Sequence, residues 1–113
     1  MGLRENLEAM LSAGQDNALL RYSLGNECLK AGDNRIAAEH FQAAVQQNPG
    51  YAAAWRQLGR ALEACGDPEG ALRAWDKGRE TAADSGDLQA GKEMAVFAGR
   101  LRKRLGRDPA PGG

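Results

Sequence analysis

Side chains with reactive or ion-binding chemistry are few in this sequence, and their spacing limits what they can do. The single histidine, His40, stands beside Phe41, and local spacing arranges no serine, cysteine or aspartate around it as a catalytic constellation. Cys28 and Cys65 form no CxxC pair, and with one histidine they offer no metal-ligand spacing. They read as two buried free thiols in a reducing compartment. The glycines lack the strand-then-helix setting of a phosphate loop. No enzyme, metal site or cofactor is expected. The remaining chemistry is cationic. Arg56 and Arg60 lie one helical turn apart, so both guanidinium groups can point into one space and hold a carboxylate. Arg100, Arg102, Lys103, Arg104 and Arg107 cluster further on, where a helix end would favour positive charge.

Composition narrows the class. The chain has 113 residues, enough for one domain, with 42% hydrophobic but only 5% aromatic residues. A core short of rings must be filled by Leu and Ala, which favours close-packed helices over stacked sheets. Lys+Arg and Asp+Glu both number 15, so no global positive field marks a dedicated nucleic-acid binder. The basic cluster near the end leaves that reading open, below a solvated helix terminus. No apolar run approaches the roughly 18 residues of a spanning helix, and no signal-peptide pattern opens the chain. A cytoplasmic protein without membrane contact is expected.

The elements that must position these side chains are announced by breakers at nearly even intervals. These are Gly14-Gln15-Asp16, Gly32-Asp33, Asn48-Pro49-Gly50, Gly66-Asp67-Pro68 and Gly86-Asp87. Glycine takes the left-handed conformation past one helix end, and Asp caps the free N–H groups of the next. Between breakers the apolar spacing is helical, as in Leu20, Leu24, Cys28 and in Trp55, Leu58, Leu62. Six helices are predicted, over 3–13, 17–31, 34–47, 51–65, 68–84 and 87–105, with a disordered tail from 107 to 113.

Laid against itself, the chain repeats. Leu24 and Leu58, Gly25 and Gly59, Gly32 and Gly66, Asp33 and Asp67, and Ala37 and Ala71 are each one 34-residue step apart, and Phe41 aligns with Trp75. In the second copy Trp55, Leu58, Gly59, Ala71 and Trp75 stand at tetratricopeptide-repeat positions. In the first, Leu24, Gly25, Ala37, Phe41, Ala44 and Pro49 do; Arg21 and Cys28 depart from the pattern there, and Leu62, Gly78 and Ala83 in the second. The chain therefore resembles the tetratricopeptide repeat family. The resemblance implies an all-α fold, antiparallel helical hairpins stacked as a short right-handed solenoid. A single domain would cover 1–106, with repeats over about 18–51 and 52–85 and flanking helices 3–13 and 87–105. A glycine inside a helix costs about 1 kcal/mol against alanine. Gly25 and Gly59 therefore imply helices crossing closely, with Ala37 and Ala71 as the small opposing surface and Phe41, Trp55 and Trp75 filling the spaces between helices. The flanking helices would seal the ends with Leu3, Leu7, Met10 and Leu11, and with Leu88, Ala95, Leu101 and Leu105.

The resemblance also implies a concave groove lined by the first helix of each repeat, where another protein lies as a peptide or helix. Read at 34-residue steps, the groove ladder runs Tyr22–Arg56–Ala90, Asn26–Arg60–Met94 and Leu29–Glu63–Phe97, with Lys30 adding a charge. Tyr22, Asn26, Arg56 and Arg60 would hold an acidic group, and Leu29, Met94 and Phe97 an apolar one. The alternative is that these charges only solvate a helix face. The carboxylate clamp of chaperone-binding repeats is not matched, since Tyr22, Asp87 and Gly91 occupy positions that need Lys or Arg. The expected role is a protein-binding adaptor, monomeric or weakly dimeric. The rivals are a self-associating assembly factor and nucleic-acid binding through the basic end.

Overall fold

The computed structural model describes residues 2–107. It contains six helices, α1 (Leu3–Ser12), α2 (Ala18–Lys30), α3 (Asn34–Gln47), α4 (Ala52–Ala64), α5 (Pro68–Ser85) and α6 (Leu88–Arg104), and no strand among the described residues. Each end falls within one residue of its expected place. Of the expected tail, residues 108–113 lie outside the described residues. Arg107 is described: its N–H donates to the carbonyl of Arg102 at 2.8 Å, and its guanidinium pairs with Glu69.

The turns do the work that glycine and its neighbours can do. Gly14, Gly32, Gly66, Gly86 and Gly106 all have φ between 74 and 92°, where a side chain would be strained. Asn17, Asp67 and Asp87 accept hydrogen bonds from the backbone N–H groups of Leu20, Gly70 and Ala90. Caps of this kind contribute about 1 kcal/mol each. Two expected caps are absent. The Asp33 carboxylate turns to Arg4, whose Nη1 donates to it at 2.6 Å and ties α1 to the α2–α3 turn. Asp16 pairs with Arg21 and leaves the capping of α2 to Asn17.

Successive helices pack as hairpins, α2 on α3, α4 on α5, and α6 on α5. Leu24, Cys28, Phe41, Leu58, Trp75 and Met94 are fully or almost fully buried. The glycines behave differently from expectation. A Cβ on Gly25 would sit 2.5 Å from Phe41 Cε1, and one on Gly59 would enter the indole of Trp75. Each glycine makes room for an aromatic ring of its own second helix, not for Ala37 or Ala71. Burying such a ring stabilises the fold by about 1.5–3 kcal/mol, more than the glycine costs.

The ends of the stack are less closed than expected. α1 buries no residue completely, and Leu3 and Met10 remain 56% and 41% exposed. On α6, Leu101 is buried but Leu88 is 71% exposed, and Leu105 is also exposed. Cys28 is buried as expected, but Cys65 is exposed in the turn after α4.

Candidate functional site

The first helices α2, α4 and α6 bring most of the expected groove residues to one side. Neighbouring contacts define the surface. Gln57 Nε2 on α4 donates to Asn26 Oδ1 on α2 at 2.8 Å, and Arg56 Nη1 reaches Glu93 Oε2 on α6 at 3.4 Å. Asn26, Leu29, Lys30, Gln57 and Arg60 line one shallow cleft of about 470 Å³. Arg60 also borders a larger one, about 750 Å³, with Glu63, Trp75, Phe97, Arg100, Lys103 and Arg104.

The larger cleft has an aromatic wall and a cationic rim. The Phe97 ring is 5.6 Å from that of Trp75, whose own Nε1–H donates to the carbonyl of Arg56 at 3.1 Å. That bond satisfies the indole and fixes the wall. The Arg60 guanidinium lies 5.9 Å from the centre of the Phe97 ring, within cation–π range. Glu63 is the one acid of the lining, and it is paired with Arg104. Arg60, Arg100 and Lys103 have no ion-pair partner among the described residues. Positive charge is therefore in excess around an apolar surface.

Four expected site residues stand differently. Met94 is 0% exposed: its sulfur lies where a Cβ on Gly78 would be, inside the α5–α6 contact, so no partner can reach it. Arg56 is partly buried and already engaged with Glu93. Tyr22 packs against Phe41 and Tyr51, at ring distances of 5.9 and 4.9 Å, and belongs to the edge of the core. Lys30 pairs with Glu27 at 2.8 Å. Asn26, Leu29, Arg60, Glu63 and Phe97 do line the clefts, as does Lys30 with its charge already paired. Arg100, Lys103 and Arg104 were expected at a solvated helix end or, as a rival reading, against nucleic acid, and not in the groove. Arg100 and Arg104 follow Phe97 by three and seven residues, the helical spacing of one face, and that signal was available in the sequence.

His40 takes no part in the groove. Arg21 Nη1 donates to its Nδ1 at 3.2 Å, and the same Arg21 holds Asp16. Burial, reinforced by the Arg21 charge, pushes the imidazole below its ordinary range and so favours its neutral form. Arg21, helped by Gln47, holds the Asp16 carboxyl well below the usual carboxylate range. Among the described residues no cluster of His, Cys, Asp and Glu is placed to hold a metal. No described helix is long and apolar enough to cross a membrane.

Comparison with known proteins agrees with this architecture. Residues 22–87 match the family model for the tetratricopeptide repeat. The TPR repeat-containing protein PA0015 of Pseudomonas aeruginosa is 55% identical over 97 residues, covering 86% of this chain and 92% of that protein. The solution structure of protein BPP2914 from Bordetella parapertussis superposes with a TM-score of 0.79 at 40% identity, covering 92% of this chain and 90% of that one. The crystal structure of MamA gives a TM-score of 0.64 at 18% identity, covering 91% of this chain and 68% of that one, a likeness of fold alone. Repeats of this kind generally mediate protein–protein interaction and are generally non-catalytic. By the matched repeats and by these relatives, the chain belongs to the tetratricopeptide repeat family.

Proposed function

We propose that the chain is a protein-binding module whose concave cleft takes an acidic segment carrying an apolar or aromatic side chain. One observation carries this reading: Arg60, Arg100 and Lys103, without an ion-pair partner among the described residues, surround the Phe97–Trp75 wall. An acidic partner would supply the missing charge through charge-assisted hydrogen bonds, each contributing about 1.5–3 kcal/mol. Its apolar side chain would cover Phe97. Asn26, Leu29 and Lys30 extend the same surface and give room for further residues of the segment. The two unpaired thiols fit a reducing cytoplasm.

Calorimetric titration tests the reading. The probe is a peptide of alternating Glu and Asp with one central Trp, compared with its Gln and Asn counterpart and with a single-stranded oligonucleotide. The acidic peptide is expected to bind, more weakly as salt rises, and the neutral one to bind at least tenfold less tightly. Equal binding of both peptides, binding of neither, or preference for the oligonucleotide would overturn it.

A further inference from the structure

The helical hairpins are incomplete at both ends of the stack, and the two deficits match. α1 stands one repeat before α3. Leu3, Leu7 and Met10 precede Ala37, Phe41 and Ala44 by the same 34-residue step that relates the repeats. Phe41 is the residue through which α3 meets its own first helix, at Gly25. Among the described residues α1 is thus a second helix with no first helix beneath it. Burial agrees: Leu7 and Leu11 are half-buried against α2, the one helix α1 touches, whereas Leu3 and Met10 are open.

α6 has the opposite deficit. Its inner face, Ala90, Met94, Ala98 and Leu101, beds on α5. The adjoining face carries Leu88, Gly91 and Ala95, which follow Ala52, Trp55 and Gly59 of α4 by one common step, 36 residues in each case (88 − 52, 91 − 55, 95 − 59). That face of α4 is covered by α5: Trp75 meets Gly59, and Gly78 meets Trp55. On α6 no described residue covers it. It borders an open cleft of about 730 Å³ between α5 and α6. Gly91 has only Ala82 near its missing Cβ, at 3.7 Å, so it adds no bulk to the cleft floor.

α1 and α6 make no contact with each other and lie at opposite ends of a molecule 49 Å long. We infer that α1 of one copy lies in the α5–α6 cleft of another, so that a hairpin is completed between two chains stacked head to tail. Residue size supports the pairing. Within the chain the contacts are Gly25 with Phe41 and Gly59 with Trp75; between copies they become Ala95 with Leu7, a larger floor residue against a smaller knob. The contact is heterologous and leaves one free end on each side, so stacks extend the solenoid and do not close. It uses neither Arg60 nor Phe97, so it stands or falls separately from the concave cleft.

Sedimentation equilibrium on the intact chain and two surface variants tests the inference. Leu3→Glu with Met10→Glu spoils the α1 face, and Leu88→Glu with Ala95→Glu spoils the α6 face; circular dichroism confirms that each remains folded. The wild-type weight-average mass is expected to rise with concentration above 12.0 kDa, and each variant alone to stay there. An equimolar mixture of the two variants is expected to form a one-to-one dimer, because each retains the face the other lacks. A wild type that stays monomeric throughout, association that survives either variant, or a mixture that remains monomeric would overturn the inference.

Discussion

The indole of Trp75 occupies the space where Gly59, on the facing helix, would carry a side chain, and Trp75 Nε1 donates from there to the carbonyl of Arg56 at 3.1 Å. The same side chain supports Phe97, so one glycine sets both the α4–α5 contact and the wall of the groove. Gly59→Ala adds helix propensity but drives a methyl group into the ring. It is expected to lower stability by about 1–3 kcal/mol or more in urea denaturation. Gly99→Ala, with nothing within 4 Å of its new methyl, is the matched control and is expected to gain up to about 1 kcal/mol.

Met94 separates core from groove. Met94→Ala is expected to cost about 2–5 kcal/mol of stability, the cost of a cavity in a packed core. The folded variant should keep its affinity for the acidic peptide within a factor of about two, a difference of ~0.4 kcal/mol. Thermal melts and the calorimetric titration read the two quantities separately.

Arg60→Ala is expected to reverse that pattern. The side chain is exposed, so stability should change by no more than about 0.5 kcal/mol. Affinity for the acidic peptide should fall roughly tenfold or more, the loss of one charge-assisted contact.

The two thiols should differ in reactivity. Cys65 is exposed, whereas Cys28 is buried and burial pushes its thiol pKa up. Iodoacetamide on the native protein, read by mass spectrometry, should label Cys65 alone. Cys28 should be labelled only after denaturation.

His40 predicts a pH dependence of definite sign. Its folded-state pKa is lowered from 6.5 by burial and then by Arg21, so the unfolded chain takes up this proton first as pH falls. Its contribution is fully present above about pH 6.5 and is lost as pH drops through the folded value. His40→Gln should therefore show a smaller loss of urea midpoint between about pH 7.5 and pH 5.5 than the wild type.

The fold was legible because local and repeating signals agreed. Gly66-Asp67-Pro68 places a left-handed glycine, a cap and a first-turn proline in one run, and the structure uses all three. The groove was legible only as far as the repeat holds. α5 has 18 residues where α3 has 14, so the step from α4 to α6 no longer equals the repeat length. The starts of α4 and α6 are 36 residues apart (88 − 52), against 34 for α2 and α4 (52 − 18). The ladder projected from the repeat pointed at Ala90 and Met94, which face α5 and are buried, and reached the cleft on α6 only at Phe97. The partners of the glycines were likewise hidden: a glycine signals close approach without naming what approaches. Only the packed structure identifies Phe41 and Trp75 as those partners.

The most direct test of the groove is a 15N NMR titration of the full chain with the acidic Trp peptide. Shift changes concentrated at Arg60, Glu63, Phe97, Arg100 and Arg104, and lost in Arg60→Ala, are the predicted result. Changes confined to the outer faces of α3 and α5, or spread evenly over all six helices, would contradict it.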